Sequence, residues 1–371
     1  MSYKNIQPDQ TIGIIGGGQL GRMLSFAAKQ MGYRVAILDP KENCPAAQVS
    51  DLHICAPFHD QIALQELYDI SDVLTYEFEN VPHQVLEPFL DKIPQGLFPL
   101  KFTQDRLLEK ETIQKAGFKT VPYLKIDTQK DLKIACEKLG YPVLLKTRSG
   151  GYDGKGQQFI HHQDIQVDIN GPSILEKVIE LKQEVSLIVT RSIHHEVKSF
   201  PVIDNIHRAQ RLIESSIPTS LSEQLMEKVL HIGKRFAEKI DLIGTLAIEF
   251  FITTNNEILI NECAPRVHNS GHLTIEACQV SQFEQHIRTI TGQPLKETNM
   301  IYPALMVNIY GQDYQASLDV LANYPNIHYH LYGKKEMKKN RKIGHVTICT
   351  KDIEQREYYR NVMRNILNKD V

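Results

Sequence analysis

Two stretches of the chain hold residues whose types and spacing could do chemistry. Lys146 to Gln157 reads KTRSGGYDGKGQ, four glycines and two lysines strung onto the end of the apolar run PVLLK. Glycine permits positive φ and brings backbone N–H donors close to an anion, and Lys146 and Lys155 add full charge, so this loop can close over phosphates. It can equally be a plain surface turn, because many glycine-rich loops only reverse a strand. The second stretch, Gly244 to Arg266, reads GTLAIEFFITTNNEILINECAPR and suggests two strands around an Asn255/Asn256 turn. Asparagine tolerates the left-handed conformation that such a turn demands. A two-residue turn there sets Glu249 directly opposite Glu262, among Ala247, Phe251, Ile260 and Ala264. Opposed carboxylates in apolar surroundings repel and lose hydration, so a cation belongs between them. Magnesium takes a couple of carboxylates together with substrate phosphates, and Asn261 could add an amide. A slip of one residue would send one glutamate to solvent instead.

Other candidates surround these. Arg266, in APRVHNSGH, suits a transferring phosphoryl or carboxylate group, with His268 and Asn269 in the same turn; a lone loop histidine needs no function. At the amino terminus, TIGIIGGGQLGRMLSFAAKQMGYRVAILDP reads as strand, glycine turn, helix and strand, the start of a parallel α/β sheet. Gly16, Gly18 and Gly21 match GxGxxG and Asp39 ends the second strand, which would fit a nicotinamide or flavin oxidoreductase. The same turn holds any phosphate or small polar ligand at a helix N-terminus, and Gln19 offers it an amide. YEFENVP places Glu77, Glu79 and Asn80 at the carboxyl edge of this sheet, as ligand contacts or as a solvated acidic loop. Arg106 lies on a charged helix from Phe102 to Gly117, and Glu176 and Glu184 lie at strand ends where the residue pattern alone reads them as exposed acids. Lys334, Lys335, Arg341 and Lys342 crowd the turn between the last two strands, a basic hairpin that is either merely solvated or receives a phosphate.

The elements that must position these residues belong to an α/β chain of two or three domains, since 371 residues exceed one ordinary core. A formal net charge of −2 provides no long-range field for nucleic acid. No apolar run approaches a spanning helix and the amino terminus is polar, so no membrane partner and a cytoplasmic location are expected. Six scattered cysteines without a CxxC pair suit a reducing compartment.

Taken together, GGGQLGRM, YEFENVP, the lysine strand with GGYDGKGQ, EKVIEL, GTLAIEFF…ILINECAPR and HNSGH resemble the ATP-grasp enzymes. Within them the chain is similar, over nearly its whole length, to the N5-carboxyaminoimidazole ribonucleotide synthetases of purine biosynthesis. The resemblance implies an α/β (α+β overall) ATP-grasp architecture. A Rossmann-like domain would span 1–100, an ATP-grasp domain 101–295 with its lid at about 121–185, and a small C-terminal domain 296–371. It implies ATP, Mg²⁺ or Mn²⁺, bicarbonate and 5-aminoimidazole ribonucleotide as ligands, and a homodimer. For ATP it implies Arg106, Lys146, the lid residues Gly151, Tyr152, Asp153, Gly154, Lys155, Gly156 and Gln157, the hinge Glu176, Lys177, Val178 and Ile179, then Glu184, His207, Asn261 and Glu262. Glu249 and Glu262 match the metal ligands. Gln19, Leu20, Glu77 and Asn80 line up with the amino-terminal part of the ribonucleotide site, the substrate-binding His268 and Asn269, together with Tyr152, Asp153 and Arg266, with the surroundings of bicarbonate and the exocyclic amine, and Lys335, Arg341 and Lys342 with the grip on the 5′-phosphate. Lys146, Tyr152, Asp153 and Arg266 carry the catalytic roles. Two departures, PRVHNSGH for PRPHNSGH and KKNRK for RPGRK, leave the phosphate ligand among the C-terminal cations open. The implied reaction passes through carboxyphosphate, whose CO₂ the exocyclic amine captures in a closed site. A formate-dependent glycinamide ribonucleotide transformylase would share the nucleotide site, and an NAD-dependent oxidoreductase would explain only the first forty residues.

Overall fold

The computed structural model of the protein describes residues 5–151, 156–162, 167, 169 and 171–367. The chain opens with β1 (Thr11–Ile15), α1 (Gln19–Gln30), β2 (Arg34–Leu38), β3 (Leu52–Ile54), α2 (Gln61–Ile70) and β4 (Val73–Tyr76). They build a sheet in the order β3-β2-β1-β4, in which β1 pairs in parallel with both β2 and β4. TIGII and RVAIL lack polar alternation because helices cover both faces, and α1 buries Leu20, Met23, Leu24, Ala27 and Ala28 against them. Gly21 is required where α1 crosses the turn, since a Cβ there would stand 2.6 Å from the Gly16 carbonyl oxygen.

GLFP opens a helix, α3 (Phe98–Thr103), and the charged helix expected from Phe102 to Gly117 is broken in two. Asp105 takes extended geometry and its carboxylate accepts the Leu107 N–H at 2.9 Å, starting α4 (Arg106–Lys115) anew. The restart puts Arg106 in the first turn of α4. Next come β5 (Tyr123–Ile126), α5 (Gln129–Leu139), β6 (Val143–Thr147), β7 (Gln157–Ile160) and β8 (Ser173–Lys177). They form a second sheet, β5-β8-β6-β7, whose core joins Leu132, Ala135 and Cys136 of α5 to Val143, Leu145 and Leu175.

The third sheet is the largest. Its strands are β9 (Leu181–Arg191), β10 (Val197–Ser199), β11 (Ile203–Arg208) and β12 (Arg211–Ile217), then, after α6 (Glu223–Lys239), β13 (Gly244–Thr253) and β14 (Ile258–Ala264). Beyond α7 (Thr274–Ala277) and α8 (Gln282–Thr291) come β15 (Ala304–Tyr310), α9 (Tyr314–Asn323), β16 (Ile327–Leu331), β17 (Lys342–Cys349) and α10 (Ile353–Ile366). The order is β14-β13-β9-β11-β12-β15-β17-β16, with β10 on β9. Strands β15 to β17 therefore continue the same sheet, joined where Glu214 of β12 faces Val307. One face packs on α6 through Leu187, Val189, Val229, Phe236, Leu246 and Phe250.

The β13–β14 hairpin corrects the expected turn. Thr253 N–H bonds to the Glu257 carbonyl at 3.0 Å, so the loop is Thr254–Asn256, three residues long, with Asn256 left-handed at φ 61°. That shifts the register by one residue near the loop, where Phe250 faces Ile260. A bulge at Asn261 then shifts it back, and Glu249 does face Glu262. Two one-residue departures cancel. Among the described residues no helix is long and apolar enough to cross a membrane, and the six cysteines are free.

Candidate active site

The three sheets surround one cavity of about 1240 Å³. A pocket for a single drug-sized ligand spans roughly 300–1,000 Å³, so this volume suits a nucleotide together with a second substrate. Its cationic end lies between the lid sheet and the large sheet. Lys146 projects from β6 with only 7% of its side chain exposed, and its ammonium sits 2.6 Å from Glu176, contrary to the reading of Glu176 as an exposed acid. Lys110, on α4, is 3.0 Å from the other Glu176 oxygen and donates to the Asn261 carbonyl at 2.8 Å. Burial alone would raise Glu176, but Lys110 and then Lys146 reverse that and hold it at about 2. Opposite them Arg106 reaches Glu262 at 3.2 Å.

Glu249 and Glu262 both open onto this space. Burial first, and then the negative charge of Glu262, push Glu249 up to about 7. Burial works against Glu262 too, but Arg106 and then Lys146 keep it below the ordinary range. Asn261 Oδ1 is buried beside them without a hydrogen-bond partner among the described residues. A repelled carboxylate pair with an orphaned amide oxygen has the donor chemistry of a hard divalent cation. Glu184 holds His207 at 2.7 Å, and Leu144, Phe159 and Phe251 give this end an apolar wall.

The other end meets the N-terminal sheet and the C-terminal strands. Asp39 accepts the Gly17 N–H at 2.8 Å, while Glu77 accepts those of Gly18 at 2.8 Å and Gly21 at 3.2 Å. The chain's own carboxylates thus fill the anion position that a dinucleotide pyrophosphate would need at this glycine turn, which removes the oxidoreductase reading. Lys334 enters the cavity and donates to Gln19 Oε1 at 2.7 Å and to the Lys342 carbonyl at 2.7 Å. Burial, with Arg341 and Lys342 close by, lowers Lys334 to about 7. Arg341 and Lys342 also line the cavity, whereas Lys335 is exposed and is not among its lining residues. Between the two ends, Arg266 pairs with Glu79, and His268 Nε2 lies 3.6 Å from Glu249. Burial, and then Arg266, lower His268 to about 3. Gln282 of α8 clamps the His268 backbone, accepting its N–H at 2.9 Å and donating to its carbonyl at 2.6 Å.

Comparison with known proteins decides the family. Residues 9–100 match the ribonucleotide synthetase preATP-grasp domain, 111–283 the ATP-grasp domain and 304–358 the phosphoribosylaminoimidazole carboxylase C-terminal domain. The N5-carboxyaminoimidazole ribonucleotide synthase of Staphylococcus aureus (strain MRSA252) is 44% identical over 369 residues, covering 96% of this chain and 97% of its own. That of Bacillus subtilis (strain 168) is 40% identical over 378 residues, covering 100% and 99%. The chain belongs to the N5-carboxyaminoimidazole ribonucleotide synthase family. A crystal structure of an N5-carboxyaminoimidazole ribonucleotide synthetase with ADP superposes with a TM-score of 0.93 at 45% identity over 98% of both chains. The Aspergillus clavatus synthase, in complex with ADP and 5-aminoimidazole ribonucleotide, superposes at 0.90 with 28% identity over 97% of this chain and 99% of its own.

Most residues picked out by resemblance to this synthase family meet at the cavity. Gln19, Leu20, Glu77, Asn80, Arg106, Lys146, Gly151, Gln157, Glu184, His207, Glu249, Asn261, Glu262, Arg266, His268, Asn269, Arg341 and Lys342 line it. Tyr152, Asp153, Gly154 and Lys155 lie outside the described residues; Gly156, at φ 72°, begins the return into β7. Lys177 ends β8, Val178 and Ile179 lead on to β9, none of the three lines the cavity, and Glu176 turns its carboxylate to the two lysines. The sequence reading left out Glu109, Lys110 and Arg148 and gave Glu79 no partner. The spacing of Arg106, Glu109 and Lys110 in DRLLEK, three and four residues apart, marks one helix face and could have found two of them. Arg148 is tied to the cap residue Asp105, with Nε 2.9 Å from its carboxylate.

Proposed function

We propose that the protein carboxylates the exocyclic amine of 5-aminoimidazole ribonucleotide at the expense of ATP, with bicarbonate as the carbon source. The observation that carries this is a single cavity with a cation-lined carboxylate pair at one end and a basic C-terminal loop at the other, Arg266 and His268 lying between. Glu249 and Glu262, with Asn261 beside them, would hold Mg²⁺, which when bound supplies charge neutralisation on the nucleotide's phosphates.

The chain's own groups account for the rest. Lys146, held by Glu176, and Arg106 draw the phosphates toward the carboxylate pair. Leu144, Phe159 and Phe251 suit a planar base. A bicarbonate oxygen forms a bond to the γ-phosphorus as the β,γ-bridging bond breaks, and ADP leaves. Arg266 neutralises charge on the resulting carboxyphosphate, and its pairing with Glu79 fixes the guanidinium where the two substrates meet. Carboxyphosphate then gives phosphate and CO₂, and the amine forms its N–C bond to that carbon as a C=O π bond opens to the carboxylate and the amine's proton passes to the released phosphate, before water can intervene. The reading extends, on the family resemblance alone, to a homodimer in the cytosol.

The deciding experiment measures ADP release by the purified protein. Turnover should require 5-aminoimidazole ribonucleotide and bicarbonate together, with one acid-labile carbamate formed per ADP. ATP turnover that ignores the ribonucleotide would sink the assignment. A second test separates the adjacent lysines. Lys334→Met should raise the KM for the ribonucleotide about tenfold or more, the scale of one lost charge-assisted contact, while Lys335→Met leaves it within about twofold. Because Lys334 titrates near 7, its charge is present below that pH and lost above it, so the ribonucleotide should bind more weakly at pH 8.5 than at pH 6.5 in the wild type but not in Lys334→Met. Equal effects of the two substitutions would refute this placement.

A further inference from the structure

Behind His268 runs a line of buried polar side chains joined to one another by hydrogen bonds, with Ser186 directly across the ladder from Glu249. We propose that Ser215, Asn205, Ser186 and Ser270 act as positioning residues that fix His268 as the tautomer protonated on Nε2, so that it meets the reacting carboxylate as a hydrogen-bond donor and not as a base.

The four residues come from β12, β11, β9 and the turn 269–273, and each is at most 6% exposed. Ser215 Oγ donates to Asn205 Oδ1 at 2.8 Å, Asn205 Nδ2 donates to Ser186 Oγ at 2.9 Å, and Ser186 Oγ donates to Ser270 Oγ at 2.8 Å. A hydroxyl has one proton, so Ser270, already accepting from Ser186, turns its own toward His268 Nδ1, 3.0 Å away. Turning the Asn205 amide over would let the hydroxyls run the other way. The Ser270 backbone N–H cannot be turned over, and it also points at Nδ1, at 3.3 Å, with His268 as the cap residue of the turn. Two donors converging on one ring nitrogen require its lone pair, so Nδ1 carries no proton and the ring's single N–H is on Nε2.

Nε2 is the edge that faces the cavity, 3.6 Å from Glu249 Oε1. An N–H there can hold an anionic oxygen of bicarbonate or of carboxyphosphate, and it has no lone pair with which to take a proton from the amine. The backbone clamp from Gln282 keeps this edge in place. The consequence for the reaction rests on the function proposed above; the tautomer does not.

The test is a long-range ¹H–¹⁵N correlation spectrum of the intact protein labelled at histidine, without substrates, with His268→Gln assigning the signal. Nδ1 is expected at the shift of an unprotonated nitrogen and Nε2 at that of a protonated one; the opposite pattern overturns the proposal. In Ser186→Ala and Ser270→Ala the two shifts should move toward a mixture, and kcat/KM for bicarbonate should fall about tenfold with the KM for ATP unchanged, the scale seen when a partner that orients a reacting group is lost. Unmoved shifts in both variants would overturn the relay even if activity fell. A protonated Nε2 in a protein that ignores 5-aminoimidazole ribonucleotide would support the tautomer and overturn the substrate reading instead.

Discussion

Glu262→Gln is expected to lower carboxylation and ATP turnover about 10³-fold while leaving the protein folded. The carboxylate stands directly across the ladder from Glu249 and 3.2 Å from Arg106, at the mouth of the space where phosphates and a divalent cation would meet. An amide of the same shape keeps the packing but removes the charge that a hard cation requires. Losing one group that stabilises transferring charge in a water-poor site costs roughly 10²–10³ in kcat, and losing a metal ligand adds to it. Stability should change little. Glu249 is pushed up to about 7, burial being the largest cause and the negative Glu262 the next, so neutralising Glu262 relieves a repulsion while it gives up the pairing with Arg106. Steady-state kinetics and a thermal melt in the absence of nucleotide decide it. Near-normal turnover would sink the metal and phosphate assignment, and a collapse of the melt would make Glu262 a structural residue.

The second large effect concerns stability. Glu176→Gln should cost on the order of 3–5 kcal/mol, because it leaves two buried ammoniums facing a neutral amide. Lys110 and Lys146 show 2% and 7% of their side chains to solvent, and Glu176 is their shared anion. The group's pKa is depressed from 4.5 to about 2, so its contribution is complete above 4.5 and is lost as the pH falls through about 2. The gap between wild type and variant in urea denaturation should therefore be widest near neutrality and narrow from pH 4.5 downward. Turnover should fall as well, since Lys146 loses the partner that aims it. A constant gap at all pH values, or a cost under about 1 kcal/mol, would mean that the ion triad is incidental to the fold.

Much of this architecture could be read before any coordinates. The apolar runs of β1, β2 and β13, the glycine turn before α1 and the patterns of β6 and β14 are short-range periodicities, set by what one strand or turn must bury. The opposed glutamates were legible for the same reason, although by a route the structure corrects: a loop one residue longer than expected and a bulge at Asn261 cancel. Eighteen residues named by the family resemblance line the cavity.

Other features were decided only when the chain folded on itself. Arg266 and Glu79 pair across 187 positions, and Glu77 caps Gly18 across 59, distances over which no periodicity links the residues. Glu176 looks like an exposed strand-end acid until α4 and β6 each bring a lysine to it. Lys334 and Lys335 have the same chemistry and adjacent numbers, and only the packing of their loop against Gln19 selects one for the cavity. The sequence by itself determined which elements form and which residue types could hold a nucleotide, because those depend on local pattern and composition. The tertiary structure decided which charges are paired, buried or free to meet a ligand, because electrostatic energy depends on distance through space and on the water excluded between groups.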